Sequence, residues 1–192
     1  MKTATNIMSG SGRALGRKTN GAPKNRGNTR VASSGTQPKL HIRSILVPVD
    51  FSSPSIKALK YAAAFAKQFK AKLTLLHVIE PVGMNDFSAS YPLVIESDRL
   101  VKISEEKLRG LSAKHDLDPA LIEKTVVRTG AAFNEITSAA RSLKTDLIII
   151  ATNGNTGLKH LLLGSTTERV VRHAGCPVFV VREREREIIE PN

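Results

Sequence analysis

A glycine followed by three hydroxyl residues, Gly164-Ser165-Thr166-Thr167, stands where the sequence predicts the start of a helix. The first N–H groups of a helix lack partners within it, and the helix dipole favours negative charge at that end. Glycine lets a phosphate approach the backbone, and hydroxyl groups can donate hydrogen bonds to its oxygens. The segment is therefore a candidate phosphate site or, alternatively, an ordinary turn and helix cap.

Gly154, ten residues before Gly164, allows a tight turn directly after the most apolar segment of the chain, on the other side of the same expected crevice. The Gly-x4-Gly-Lys-Ser/Thr pattern of P-loops is absent from the sequence. No acidic residue lies between Gly154 and Thr167 to hold magnesium. The glycine loop therefore offers phosphate chemistry without a metal ligand of its own.

Other residues of chemically active type are few. Asp50 follows an apolar run and precedes a Ser-Ser-Pro segment, so it is either a ligand contact or a partner for loop amides. His77 lies inside a predicted strand, which favours a core or crevice residue, and the five histidines form no His-x3-His pair. Cys176, the single cysteine, excludes a disulfide framework and a multi-cysteine metal site, and we expect it to pack as a small hydrophobe. No pairing of nucleophile and base is visible, so no catalytic residue is predicted.

Apolar strands and amphipathic helices alternate from about residue 41 onward. This alternation predicts parallel strands, right-handed crossovers and an α/β doubly wound sheet covered on both faces. The first and fourth strands are the most apolar and are expected at the centre, and ligands bind such sheets beyond the strand ends where strand order reverses. The expected strands are 44–49, 73–79, 124–128, 146–152 and 177–181, and the expected helices are about 54–69, 93–115, 133–143 and 164–173.

Two expectations concern particular segments. In the second helix, Leu100, Ile103, Leu108 and Leu111 recur at helical spacing, which predicts one buried apolar face. At the end of the chain, the alternating charges of residues 182–187 predict a segment that lies in solvent.

From about Ser44 to Arg182 the chain resembles the universal stress protein family. The resemblance implies a Rossmann-like, five-stranded parallel sheet of the adenine nucleotide alpha hydrolase-like type, with strand order 3-2-1-4-5. It is carried by Ile45-Leu-Val-Pro-Val-Asp50-Phe-Ser, Leu75-Leu-His-Val-Ile79, Leu147-Ile-Ile-Ile150 and the run from Glu168 through Cys176-Pro177 to Arg182.

ATP-binding members of that family share the pattern Gly-x2-Gly-x9-Gly-Ser/Thr. The second and third glycines and the hydroxyl residue correspond to Gly154, Gly164 and Ser165, whereas Ala151 and Asn153 stand at the first glycine and at a position often occupied by histidine. The resemblance implies ATP as ligand, with any divalent metal held only through the phosphates. It implies phosphate or ribose contacts from Gly154, Asn155, Gly164, Ser165 and Thr166, and an adenine and ribose site around Pro48, Val49, Asp50 and Val78.

The charge of the 192-residue chain is concentrated at its beginning. Residues 1–40 hold eight of the 29 basic residues, no acidic residue and few large apolar residues, which predicts a disordered basic arm before a domain at 41–184 and a charged tail at 185–192. The arm is either a solvated leader or a site of weak nucleic-acid or other polyanion binding. No apolar run of membrane-spanning length and no secretory signal are present, so we expect a cytoplasmic protein.

Three function classes follow from these features. The favoured one is an adenine-nucleotide-binding module of stress response or regulation that lacks efficient catalysis. The others are a slow ATPase or nucleotide-transferring enzyme, and a stress protein that associates with nucleic acid through its arm without binding ATP. The apolar last strand, 177–181, is expected at the sheet edge and predicts a homodimer through strand pairing, as in members of the resembled family.

Overall fold

The computed structural model describes residues 39–81, 92–152 and 163–189. Within them it confirms the alternation of strands and helices that the sequence predicts, with bounds shifted by one or two residues for most elements. The strands are β1 (Ser44–Pro48), β2 (Lys72–Ile79), β3 (Ile122–Thr129), β4 (Leu147–Ala151) and β5 (Val178–Val181). The helices are α1 (Ser53–Phe69), α2 (Pro92–Lys114), α3 (Ala132–Ser142) and α4 (Ser165–His173).

The five strands form one parallel sheet in the order β3-β2-β1-β4-β5, as expected. β1 lies at the centre, paired with β2 from Ser44↔Lys72 to Pro48↔Leu76 and with β4 at Ile45↔Leu147 and Leu46↔Ile148. The chain therefore proceeds outward in one direction through β2 and β3 and in the other through β4 and β5. The crevice of such a sheet opens between the ends of β1 and β4, where this reversal occurs.

Each face of the sheet carries its own apolar core, because successive strand side chains point to opposite faces. On one face, Ile45 and Val47 of β1 pack against buried residues of α1 and α2, including Tyr61 and Leu108. On the other face, Leu46 packs with residues of α3 and α4. The buried residues of this second cluster are Leu46, Leu76, Ile136, Ala139, Ala140, Ile148, Ile150 and Val170.

The structure corrects the expectation for the beginning of α2. Leu108 and Leu111 are buried as the spacing predicts, but Leu100 and Ile103 are exposed. The second half of α2 therefore packs against the sheet, through Leu108 and Leu111. A short 3₁₀ helix, Pro119–Leu121, follows α2, and β3 begins two residues earlier than the apolar pattern indicates.

The segment after β5 docks on α1 through a few contacts, while its charged residues 182–187 lie mostly in solvent, as expected, with Glu185 partly buried. Lys57 Nζ donates to the carbonyl oxygens of Arg182 and Glu183, at 3.1 and 3.2 Å. The same amine lies 3.9 Å from a carboxylate oxygen of Glu185 and 3.7 Å from one of Glu187. The alternating charges thus predict the exposure of the segment, but they do not predict its contacts, which depend on a lysine more than 100 residues away.

Several predictions fall outside the described residues. They are the basic arm of residues 1–40 up to position 38, the loop positions Asn153, Gly154 and Asn155, and the last three residues of the tail. The predicted domain bounds therefore stay predictions. Within the described ranges, no helix has the length and apolarity needed to cross a membrane.

The docked tail offers a stability test through two adjacent isoleucines. Ile189 packs against the core cluster on the α1 face, whereas Ile188 is 70% exposed. Ile189→Ser should lower the free energy of unfolding by about 1 kcal/mol, the cost of exposing part of an isoleucine side chain. Ile188→Ser should change it by less than about 0.5 kcal/mol. Urea unfolding of both variants checks the difference, and equal, negligible effects would show that Ile189 does not pack against the core.

Candidate functional site

A cavity of about 330 Å³ lies at the carboxyl ends of β1, β2 and β4. It occupies the point where strand order reverses, which is where doubly wound sheets bind ligands. The structure brings eight of the eleven predicted site residues to its walls; the other three, Asn153, Gly154 and Asn155, lie outside the described residues. The eight are Pro48, Val49, Asp50, Val78, Ala151, Gly164, Ser165 and Thr166.

Asp50 connects the end of β1 to the start of α1. Its Oδ1 accepts hydrogen bonds from the backbone N–H and the hydroxyl of Ser52, at 3.0 and 2.5 Å. Ser52 is the N-cap of α1, and its hydroxyl oxygen accepts from the N–H of Ser55 at 3.3 Å. The carboxylate thus serves the loop amides, one of the two roles that the sequence left open, and it also lines the cavity.

Glu80, just beyond the end of β2, caps the N-terminus of α3. The N-cap position of α3 is Ala131, which has no side-chain acceptor, and Glu80 Oε1 accepts from the N–H of Ala132 at 2.7 Å. A carboxylate at a helix N-terminus also complements the helix dipole. Sequence reasoning missed Glu80 because the two residues lie 52 positions apart in the chain.

The start of α4 differs from those of α1 and α3. Its N-cap is Gly164, and no described side chain caps it. The helix is held instead from its sides: Thr167 Oγ1 donates to the carbonyl of Ala151 at 2.8 Å, and Gly164 N–H donates to the carbonyl of Thr152 at 2.8 Å. These two bonds fix the N-terminus of α4 beside the end of β4 and against the cavity.

His77 lies on the cavity wall as a partly buried crevice residue. Its Nδ1 is 2.7 Å from the carbonyl oxygen of Val49, so this nitrogen carries the hydrogen in the bonded tautomer. Its ring contacts Phe51, with centroids 4.6 Å apart. Phe51 itself has a φ of 64°, an uncommon conformation for an aromatic residue.

Apolar side chains from both sides of β1 complete the cavity. Leu76, Ile136 and Ile150 are buried residues that also line it. Sequence reasoning did not select these three, nor Ser55, Thr152 and Ala132, although the alternation of strand side chains could have indicated Leu76 and Ile150. Thr167, expected as a third hydroxyl donor to phosphate, instead donates to the carbonyl of Ala151. The cavity therefore combines apolar walls with polar groups at one end, as small-molecule sites do.

Metal and thiol chemistry find little support in the described part of the chain. It holds no group of three His, Cys, Asp or Glu residues placed to bind a metal ion. Burial raises the pKa of the Cys176 thiol, and the negative charge of Asp146 adds to the shift. A thiol with a raised pKa is less often the reactive thiolate, which agrees with the packing role expected for Cys176.

Comparisons with a family model and with single proteins point to the same family. The model of the universal stress protein family matches residues 41–182. Universal stress protein MJ0531 of Methanocaldococcus jannaschii is 33% identical over 145 residues, which cover 76% of this chain and 85% of that protein.

Two solved structures resemble the fold closely. One is the structure of protein MJ0577, which is 28% identical to this chain and superposes on it with a TM-score of 0.67. The match covers 76% of this chain and 99% of the solved chain. A relative of that name belongs to Methanocaldococcus jannaschii. The other, UspA of Lactobacillus plantarum, has a TM-score of 0.63 at 26% identity and covers 75% of this chain and all of the solved one.

The cap that Glu80 gives to α3 is open to measurement. Glu80→Ala removes the acceptor of the Ala132 N–H and should lower the free energy of unfolding by about 1 kcal/mol. Glu80→Gln keeps an oxygen acceptor and should recover part of that loss. Glu123→Ala, which removes an exposed carboxylate on β3, is the matched control and should cost less than about 0.5 kcal/mol. Chemical denaturation of the three variants tests this order, and equal losses for Glu80→Ala and Glu123→Ala would contradict the cap.

Proposed function

This chain belongs to the universal stress protein family, and we propose from that premise that the cavity binds an adenine nucleotide, ATP in the first place. The protein then acts as a regulatory or stress-response module that responds to nucleotide and does not turn it over efficiently. The observation that carries the proposal is the uncapped N-terminus of α4, held against a cavity at the reversal of strand order.

The phosphate end of the proposed site is at α4. The N–H groups at a helix start need acceptors, and in α1 and α3 these are supplied by Ser52 and Glu80. A phosphate oxygen at α4 would supply what those side chains supply elsewhere, and it would gain from the helix dipole. Gly164 gives access to the backbone, and Ser165 and Thr166 add hydroxyl donors. We assign Gly154 and Asn155 to the same role through the family pattern.

The base and ribose end is at β1 and β2. Pro48, Val49 and Val78 line the cavity there together with apolar residues of the second core cluster. A flat apolar base fits between such walls, and Asp50 is the carboxylate that we assign to the ribose hydroxyls. Ala151 replaces the first glycine of the family pattern within regular strand β4, where an alanine backbone is unstrained.

Regulation is favoured over catalysis by the bonds of the groups that could act as bases. Asp50 is engaged with Ser52, Glu80 with the start of α3, and His77 with the carbonyl of Val49. Each of these bonds ties its group to the backbone at a strand or helix end, which is a structural role. His77 keeps Nε2 as a base, so a measurement of turnover decides between the two functions. A slow ATPase is the alternative function, and multiple-turnover release of phosphate from ATP distinguishes the two.

Nucleotide binding is tested by one substitution at the start of α4. Gly164 has φ −66° and ψ 150°, an extended conformation that valine adopts, so Gly164→Val should fold normally. The side chain would obstruct the approach of phosphate to the backbone, and we expect calorimetry to show ATP binding to wild type and none to the variant.

Gly175→Val is the matched control. A Cβ atom at Gly175 meets nothing within 4 Å, and this glycine does not line the cavity. The control should therefore keep the affinity of wild type for ATP. If ATP gives wild type neither binding heat nor a shift in Tm, the proposed function is refuted. An equal loss of ATP affinity in both variants would show that the start of α4 is not the phosphate site.

A homodimer through β5 is proposed on the topology of the sheet. β5 is an edge strand, and the carbonyl groups of Pro177 and Val181 face β4, where they accept from Ile148 and Thr152. Because alternate residues of a strand direct their N–H and C=O groups to opposite sides, those of Val178 and Val180 point to the free edge. A second copy can pair there about a two-fold axis.

The dimer is testable by removing one outward N–H group. Val180→Pro should give a monomer because proline lacks the donor that pairs with the second copy, while the edge position leaves the bonds to β4 in place. Val180→Ala keeps the N–H and should stay dimeric. Light scattering at micromolar concentration measures both, and a monomeric wild type or a dimeric proline variant would exclude this interface.

A further inference from the structure

A second cavity of about 560 Å³ lies between the beginning of α1 and the end of α2. The docked tail forms part of its wall through Glu187 and Ile189, and Phe51 lies at its inner side. It shares no lining residue with the proposed nucleotide cavity.

The charge of this cavity is strongly unbalanced. Lysines 57, 60 and 114 line it against one carboxylate, Glu187, and α1 contains no acidic residue along its whole length. Lys57 is engaged by the tail, through two carbonyl oxygens and two carboxylates. Lys60 and Lys114 form no salt bridge with any other residue of the described ranges. The cavity therefore holds two positive charges that an anion can neutralise.

His115 reports the same positive environment. Partial burial lowers its pKa, and the nearby ammonium groups of Lys114 and Lys60 lower it further. Lys107 adds a further cation on the Phe51 side, 5.6 Å from the ring centroid. A bound anion would oppose this effect and raise the pKa of His115, which gives a spectroscopic signal at the cavity itself.

Four apolar side chains form most of the remaining walls, beside Ser53 and His115. Phe51, Ile56 and Leu111 come from the core side, and Ile189 comes from the tail. An inorganic ion would neutralise the lysines and leave these surfaces in contact with water. A molecule with an anionic group and an apolar body would satisfy both parts of the cavity.

We propose that the cleft between α1, α2 and the docked tail is a second ligand site, which takes an organic anion with an apolar or aromatic body. Lys60 and Lys114 bind the anionic group, and Phe51, Ile56, Leu111 and Ile189 contact the body. The tail also supplies a natural precedent for the contact, because it places its own carboxylates on Lys57 in the same cleft. The proposal is independent of nucleotide binding at α4.

The test uses a pair of probes that differ in charge. 8-Anilinonaphthalene-1-sulfonate is an aromatic anion whose fluorescence rises in apolar surroundings, and N-phenyl-1-naphthylamine has the same ring framework without the sulfonate. With the full chain in the Gly164→Val background, we expect one sulfonate probe to bind per chain. Its affinity should exceed that of the neutral probe by about tenfold or more.

Charge variants assign the binding to this cavity. Lys60→Glu combined with Lys114→Glu should lower the affinity for the sulfonate probe by about tenfold or more. The double glutamine variant should show an intermediate loss of affinity. Lys67→Glu is the matched control, since Lys67 is exposed and lies about 10 Å further along α1. All three lysines are exposed, so the variants should fold, which circular dichroism checks.

The histidine signal provides a second measurement. Titration of the ring protons of His115 by NMR should show its pKa rise when the sulfonate probe is bound, and no rise with the neutral probe. Equal affinity for both probes, or equal affinity of the Lys60/Lys114 glutamate variant and wild type, would overturn the proposal. So would a His115 titration that the bound sulfonate leaves unchanged.

Discussion

Three of the helices begin at the same edge of the sheet, and each begins with backbone N–H groups that need acceptors. This requirement follows from helix geometry and cannot be avoided by any sequence. The chain meets it for α1 with Ser52, which Asp50 orients, and for α3 with Glu80 reaching across from β2. At α4 no described side chain meets it. The parallel sheet thus brings three helix starts to one cavity, and at one of them no described side chain accepts from the first N–H groups.

The sequence predicted the fold well because the fold depends on patterns that are local. Apolar runs such as 147–151 indicate buried strands, and the Ser-Ser-Pro segment after Asp50 indicates a helix start. Apolarity places the first and fourth strands at the centre, whereas the full strand order came from the resemblance to the family. The same reasoning placed Gly164 and Asp50 at strand and helix ends that the sheet then brought together. Eight predicted site residues line one cavity for this reason.

What the sequence did not predict depends on distant partners. Glu80 is recognised as a cap only when α3 lies beside β2, and the tail docks only because Lys57 of α1 is within reach. The exposure of Leu100 and Ile103 has the same cause, since helical spacing shows which residues share a side but not which part of that side meets the sheet.

Two adjacent residues at the end of β1 line the two cavities described above. Asp50 lines one and Phe51, the next residue, lines the other, while the Phe51 ring contacts His77 on the first side. A left-handed backbone at a non-glycine residue costs about 1–3 kcal/mol and persists only where surrounding contacts outweigh it. The turn at the end of β1 is therefore the place where one local conformation determines the shape of both cavities.

The hydrogen bond from Gly164 N–H to the Thr152 carbonyl brings together two points that are twelve residues apart in the chain. Because α4 is held to β4 at this bond and at Thr167, its position does not rely on the length of the connection between them. The start of α4 thus stays registered against the end of β4 through two hydrogen bonds of its own, whatever the chain between Thr152 and Leu163 contributes.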